Sequence, residues 1–114
     1  MVGFVERVCM GADVAWPIQM TLGISDGERL HAVRYSSEGR SRTLYHSEDI
    51  AALRRLIPPG VATALDAFSD DARMVVSEPL GNELPGAWKE IPEGTFLTVD
   101  GGEVETRAFV PARV

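Results

Sequence analysis

Between Ile18 and Tyr35 the chain alternates along two runs on either side of a turn signal. Ile18, Met20, Leu22 and Ile24 are separated by Gln19, Thr21 and Gly23, a period of two that puts the apolar residues on one side of an extended strand. Asp26-Gly27 follows, a dipeptide that accepts positive φ at both positions, and Arg29 to Tyr35 returns as the partner strand. Pairing Ser25 with Glu28 sets Leu22 opposite His31, Met20 opposite Val33 and Ile18 opposite Tyr35, so one face is apolar apart from His31. The end of the chain repeats the device. Thr95 to Val99 and Val104 to Ala108 flank Asp100-Gly101-Gly102, and either an Asp100-Gly101 or a Gly101-Gly102 turn leaves Leu97, Val99, Val104 and Thr106 on one face.

The remaining elements fit around these two hairpins. Phe4, Val5, Val8 and Cys9 follow an i, i+1, i+4, i+5 pattern, which predicts a short amphipathic helix ended at Gly11. Thr43-Leu44-Tyr45 reads as a third short strand. Ser47 is placed to cap a helix carrying Glu48 and Asp49 in its first turn and Ile50, Leu53 and Ile57 on its face, until Pro58-Pro59-Gly60 stops it. Val61, Ala64, Leu65 and Phe68 predict a second helix there, and Arg73 to Ser77 an inner strand. Residues 81–86 read as a loop, with Trp16 and Trp88 as packing anchors near prolines or loops. Residues 1–114 thus read as a single α+β domain, an antiparallel sheet with two hairpins and two or three short helices.

Charge and cysteine content exclude several classes. With 11 Lys and Arg against 17 Asp and Glu, the net charge is -6 and repels phosphate backbones, so no nucleic-acid partner is expected. A lone cysteine rules out an internal disulfide, and Cys9, His31 and His46 lack metal-ligand spacing. No metal or cofactor is expected. Charges at Glu6 and Arg7 interrupt any apolar leader, and no apolar run approaches the ~20 residues of a membrane span, so the expected compartment is the cytoplasm.

Gly23-Ile24-Ser25-Asp26-Gly27 matches the G-x-S-x-G nucleophile elbow, which requires strand, turn and helix in that order. Here the residues after Gly27 alternate as a strand, so the hairpin accounts for the same glycine and aspartate without strain. Cys9 reads as a small apolar residue on the inner side of its helix rather than a thiolate nucleophile. His31 falls on the apolar hairpin face as a core or interface histidine, and His46, at a strand end, is expected to be exposed. Ser77-Glu78-Pro79 either places a hydroxyl and a carboxylate at a sheet rim or marks the exit of a strand.

The order of these segments resembles one family. Leu22-Gly23-Ile24-Ser25-Asp26-Gly27-Glu28-Arg29-Leu30, Ala32-Val33-Arg34-Tyr35-Ser36-Ser37 and Thr43-Leu44-Tyr45 are similar to a continuous stretch of class II glutamine amidotransferases. Val75-Val76-Ser77-Glu78-Pro79-Leu80 and Trp88-Lys89-Glu90-Ile91-Pro92-Glu93-Gly94-Thr95-Phe96-Leu97-Thr98-Val99-Asp100 resemble two later motifs of the same family. The match runs in order over about residues 4 to 108, closest in pattern to the subgroup containing the ergothioneine-pathway gamma-glutamyl amidohydrolase.

This resemblance implies the C-terminal half of an N-terminal-nucleophile hydrolase, a four-layer αββα sandwich of two antiparallel sheets. Family chemistry uses a cysteine directly after the initiator methionine, with its α-amino group as base, to cleave the glutamine side-chain amide. Position 2 here is Val2, so no catalytic residue carries over. The matching motif positions Arg34, Tyr35, Ser77 and Glu78 are the candidates for substrate binding. The expectation is a truncated or split amidotransferase-like chain, inactive alone, that forms a homo-oligomer or takes the missing N-terminal half in trans. A non-catalytic binding or scaffold module on the same fold is the alternative.

Overall fold

The computed structural model describes residues 1–48, 51, 54–55, 72–79 and 87–112. Helix α1 (Val2–Gly11) leads into β1 (Gln19–Ser25) and β2 (Arg29–Ser36). Then come β3 (Tyr45–Ser47), β4 (Val75–Val76), β5 (Trp88–Glu90), β6 (Thr95–Asp100) and β7 (Glu103–Ala108). The antiparallel α+β class with two hairpins is the one the alternation predicted. Its strands are divided between two sheets, β1-β2-β6-β7 and β4-β3-β5. Of the first helix expected after Ser47, Ala51 and Arg54–Arg55 are helical, but Ser47 does not cap it: it belongs to β3 and its hydroxyl accepts from the Met74 N–H at 2.9 Å, and Glu48 is not helical. The remainder of that helix and all of the second lie outside the described residues.

The first hairpin is two residues out of the expected register. Ser25 pairs with Leu30, Leu22 with Val33 and Met20 with Tyr35. Asp26 donates its N–H to the Arg29 carbonyl at 3.2 Å, so Gly27-Glu28 is the turn. Only Gly27 takes positive φ there, at 95°, as a turn with glycine in the first central position requires. The Asp26 carboxylate accepts from the Glu28 and Arg29 N–H groups at 2.9 and 2.7 Å, and these bonds move the turn one residue on. A shift of two preserves parity, so the same side chains share a face. The second hairpin resolves to a Gly101-Gly102 turn, both at positive φ, with Leu97 opposite Thr106 and Val99 opposite Val104.

Which hairpin face is inside was not legible. The core joins Ala32, Leu97 and Val99 of the larger sheet to Leu44 and Ile91, which border the smaller one, with Leu30, Val75 and Val104 against them. The core therefore uses the Leu30 and Ala32 side of β2. On the other side Val33 and Tyr35 are buried, while Leu22 and Ile24 of the edge strand β1 remain 44% and 58% exposed. β2 is apolar on both faces, so period alone could not choose between them.

Helix α1 is turned away from the orientation its apolar residues suggested. Phe4 and Val8 are exposed, whereas Gly3 and Glu6 are buried, with Cys9 half-buried one turn further on. The helix ends at Gly11 as expected, but the left-handed residue beyond it is Asp13, at φ 66°. Trp16 is exposed rather than an anchor, and Trp88 belongs to β5, a strand too short to show a period. Strand β3 begins at Tyr45 instead of Thr43, whose hydroxyl donates to the Ser77 carbonyl.

Candidate functional site

Arg34 and Tyr35 are consecutive in β2 and so project to opposite faces. The Arg34 guanidinium is almost enclosed. It donates to the Ile91 carbonyl at 2.6 Å, Glu90 Oε1 at 2.9 Å and Ser41 Oγ at 3.1 Å, with Glu93 Oε2 at 3.7 Å. Glu93 is a clamp. Its carboxylate accepts from the Ser36 N–H (2.8 Å) and hydroxyl (3.2 Å), the Ser41 N–H (2.9 Å) and the Ser41 hydroxyl. Burial opposes its charge, but the bonds from Ser41 and Ser36 outweigh that and hold its carboxyl below the ordinary range. Gly94, at φ 70°, continues the tie by donating its N–H to the Arg34 carbonyl at 2.9 Å.

On the other face the Tyr35 hydroxyl donates to Glu6, which also accepts from Ser37 Oγ at 2.7 Å. The Tyr35 ring meets Phe109 edge-on at 5.4 Å. This buried carboxylate explains the roll of α1, since an unpartnered Glu6 could not be buried there. Ser77 and Glu78 are exposed beyond β4. Arg34 is thus brought to Glu90 and Glu93, while Tyr35, Ser77 and Glu78 do not join that cluster. Ser25 lies at the end of β1, its hydroxyl accepting from the Gly27 N–H at 3.2 Å, in a strand-turn-strand context that no nucleophile elbow has. His31 is half-buried, with Nδ1 3.1 Å from Thr98 Oγ1 and its ring 5.6 Å from Phe96.

A cleft of about 490 Å3 opens between the sheets. Among the described residues, β6 and β7 contribute Leu97, Val104 and Thr106 to it, and the smaller sheet His46, Lys89 and Glu90. Glu48, Arg73, Ile91, Pro92 and Gly102 also line it. His46, expected to be exposed, is only 6% so, and its Nδ1 lies 3.0 Å from the Ser47 carbonyl. Polar neighbours in sequence concealed this burial, because β3 is an inner strand paired on both sides. Glu6 and Glu93 were also missed as partners. The signal for Glu93 was present in Pro92-Glu93-Gly94, a turn whose carboxylate needs donors.

No protein-family sequence profile matches the chain. No curated protein sequence matches it either. Among solved structures it is similar to a glutamine aminotransferase class-II domain protein from Silicibacter pomeroyi, with a TM-score of 0.70 and 24% identity. The alignment covers 97% of this chain and 41% of that one, so the chain spans less than half of its neighbour's length. The fold of the described residues is similar to that of part of this glutamine aminotransferase class-II domain protein.

Proposed function

We propose that these residues are the structural portion of a class II glutamine amidotransferase-type domain, inactive in glutamine hydrolysis by themselves. Glutamine or a gamma-glutamyl amide would then be cleaved by a nucleophile supplied from outside this sequence. The observation that carries this reading is the likeness of nearly the whole chain to two-fifths of such a domain. The internal chemistry is in keeping with it. Cys9 sits half-buried in α1, and Arg34 and Glu93 spend their hydrogen bonds on each other's surroundings. The exposed Leu22 and Ile24 give the remaining portion of the domain, or a second copy of the chain, an apolar surface to cover. The purified chain should release no ammonia from glutamine. Addition of a polypeptide carrying the N-terminal cysteine segment of such a domain should restore the release. Glutaminase activity of the chain alone that is lost in Cys9→Ala would overturn the proposal.

A further inference from the structure

We propose that the free edge of β1 pairs antiparallel with β1 of a second copy of the chain, about a two-fold axis through Leu22, joining two four-stranded sheets into one of eight. This concerns the chain itself and does not rest on the amidotransferase reading. β1 lies at the end of the order β1-β2-β6-β7. At its two ends Ile18 accepts from the Ser37 N–H and Asp26 donates to the Arg29 carbonyl, so the even-numbered residues between them turn their backbone groups toward β2. The N–H and C=O groups of Gln19, Thr21, Gly23 and Ser25 therefore point away from the sheet, and among the described residues no partner meets them. Gln19 to Ser25 holds no charge, no proline and no bulge, the devices that guard an edge. The opposite edge, β7, carries Glu103, Glu105 and Arg107.

The strand is complementary to itself. With the axis at Leu22 all seven residues pair, and the outward groups of Thr21 bond those of the partner's Gly23, while Gln19 bonds the partner's Ser25. On the outer face Leu22 meets the partner's Leu22 and Met20 meets the partner's Ile24, an apolar ladder that covers the exposed Leu22 and Ile24 side chains. Charge selects the antiparallel sense. Asp26 and Glu28 follow β1, and Arg40 lies at its start, where its carbonyl accepts from Gln19 Nε2 at 3.4 Å. Antiparallel pairing brings each acidic turn to the other copy's Arg40 end, whereas parallel pairing sets the two turns together. Glu28 and Arg40 are exposed and have no ion pair among the described residues. In a chain of net charge -6, this uncharged strand is also where two copies meet with little repulsion. Trp16, 63% exposed ahead of β1, falls beside the partner's Glu28 in this register. A seven-residue edge is small beside the ~1,600 Å2 of a standard interface, so the expected dissociation constant is on the order of 10–100 μM.

Cross-linking and amide exchange of the chain test the edge and its register. In a Cys9→Ala background, Leu22→Cys should give a disulfide-linked dimer under mild oxidation, because the axis sets the two Cβ atoms about 5 Å apart. Ile24→Cys should cross-link about tenfold more slowly, since the same axis separates its two copies by about 13 Å along the strands. Leu22→Lys, which sets two ammonium groups opposite each other, should weaken the dimer about tenfold in sedimentation. Leu22 is 44% exposed and outside the core, so these replacements leave the fold intact. The Thr21 and Gly23 amides should be protected from exchange at millimolar concentration and lose that protection on dilution, while the Leu22 and Ile24 amides, turned toward β2, keep theirs. A monomer at millimolar concentration, equal cross-linking at 22 and 24, or Thr21 and Gly23 amides indifferent to dilution would each refute the pairing. A dimer that survives Leu22→Lys unchanged would move the contact elsewhere, such as the exposed Phe4 and Val8 of α1, and refute it too. Protection of the edge only when the N-terminal cysteine segment of an amidotransferase domain is added would give β1 to that segment and not to a second copy, while leaving the amidotransferase reading standing. All four outcomes are read without any glutaminase assay, so an inactive reconstituted domain sinks that reading and leaves the β1 pair untouched.

Discussion

Replacing Glu93 should show how much of the larger sheet's order depends on one carboxylate. Glu93 accepts four hydrogen bonds, from the N–H and hydroxyl of both Ser36 and Ser41, and faces Arg34 at 3.7 Å. Fully buried bonds to a charge contribute about 1.5–3 kcal/mol each, but this side chain is 27% exposed and its burial works against the charge. Roughly 1 kcal/mol per bond is then appropriate, so Glu93→Ala should cost about 3–4 kcal/mol and Glu93→Gln, which keeps one acceptor oxygen, about 2 kcal/mol. Against a total stability on the order of 5–15 kcal/mol either loss is large. The pH dependence has a definite sign. A carboxyl held below its ordinary value of 4.5 in the folded protein is more protonated in the unfolded chain, so the stability it contributes is complete above 4.5. It is lost as the pH falls through the depressed folded value. Urea denaturation from neutral to acid pH should find wild type and Glu93→Gln furthest apart at neutral pH and converging below 4.5. A gap that stays constant across that range, or that is under ~0.5 kcal/mol at neutral pH, would falsify the clamp.

Three further outcomes are expected. Gly27→Val should destabilise by about 1–3 kcal/mol, because a β-branched residue is strained at φ 95°, while Ser25→Ala should change stability by less than ~0.5 kcal/mol in the same melts. Glu6→Ala should cost about 2–3 kcal/mol and Glu6→Gln much less, since the amide oxygen still accepts from Tyr35 and Ser37; equal losses in thermal unfolding would contradict that geometry. Light scattering of the chain alone should give a dimer that Leu22→Ser with Ile24→Ser converts to monomer, and a wild-type monomer that binds no hydrophobic dye would show that this face needs no cover.

Local signals in the sequence determined the hairpins, and local physics is the reason. Alternation in Met20-Thr21-Leu22 and glycines able to take positive φ at 27, 101 and 102 act over a few residues and need no distant partner. They determined the strands, their antiparallel sense and the residues sharing each face. Tertiary structure decided everything that required two distant segments to meet. The faces of β2 are both apolar, and only packing against Leu97 and Val99 chose the Leu30 and Ala32 side for the core. Strand β5 has three residues and no readable period, so its pairing with β3, which buries His46, belongs to the assembled sheet. Glu6 and Glu93 lie 29 or more residues from their main partners. A buried carboxylate is stable only where donors converge on it, and that convergence exists only once the chain has folded.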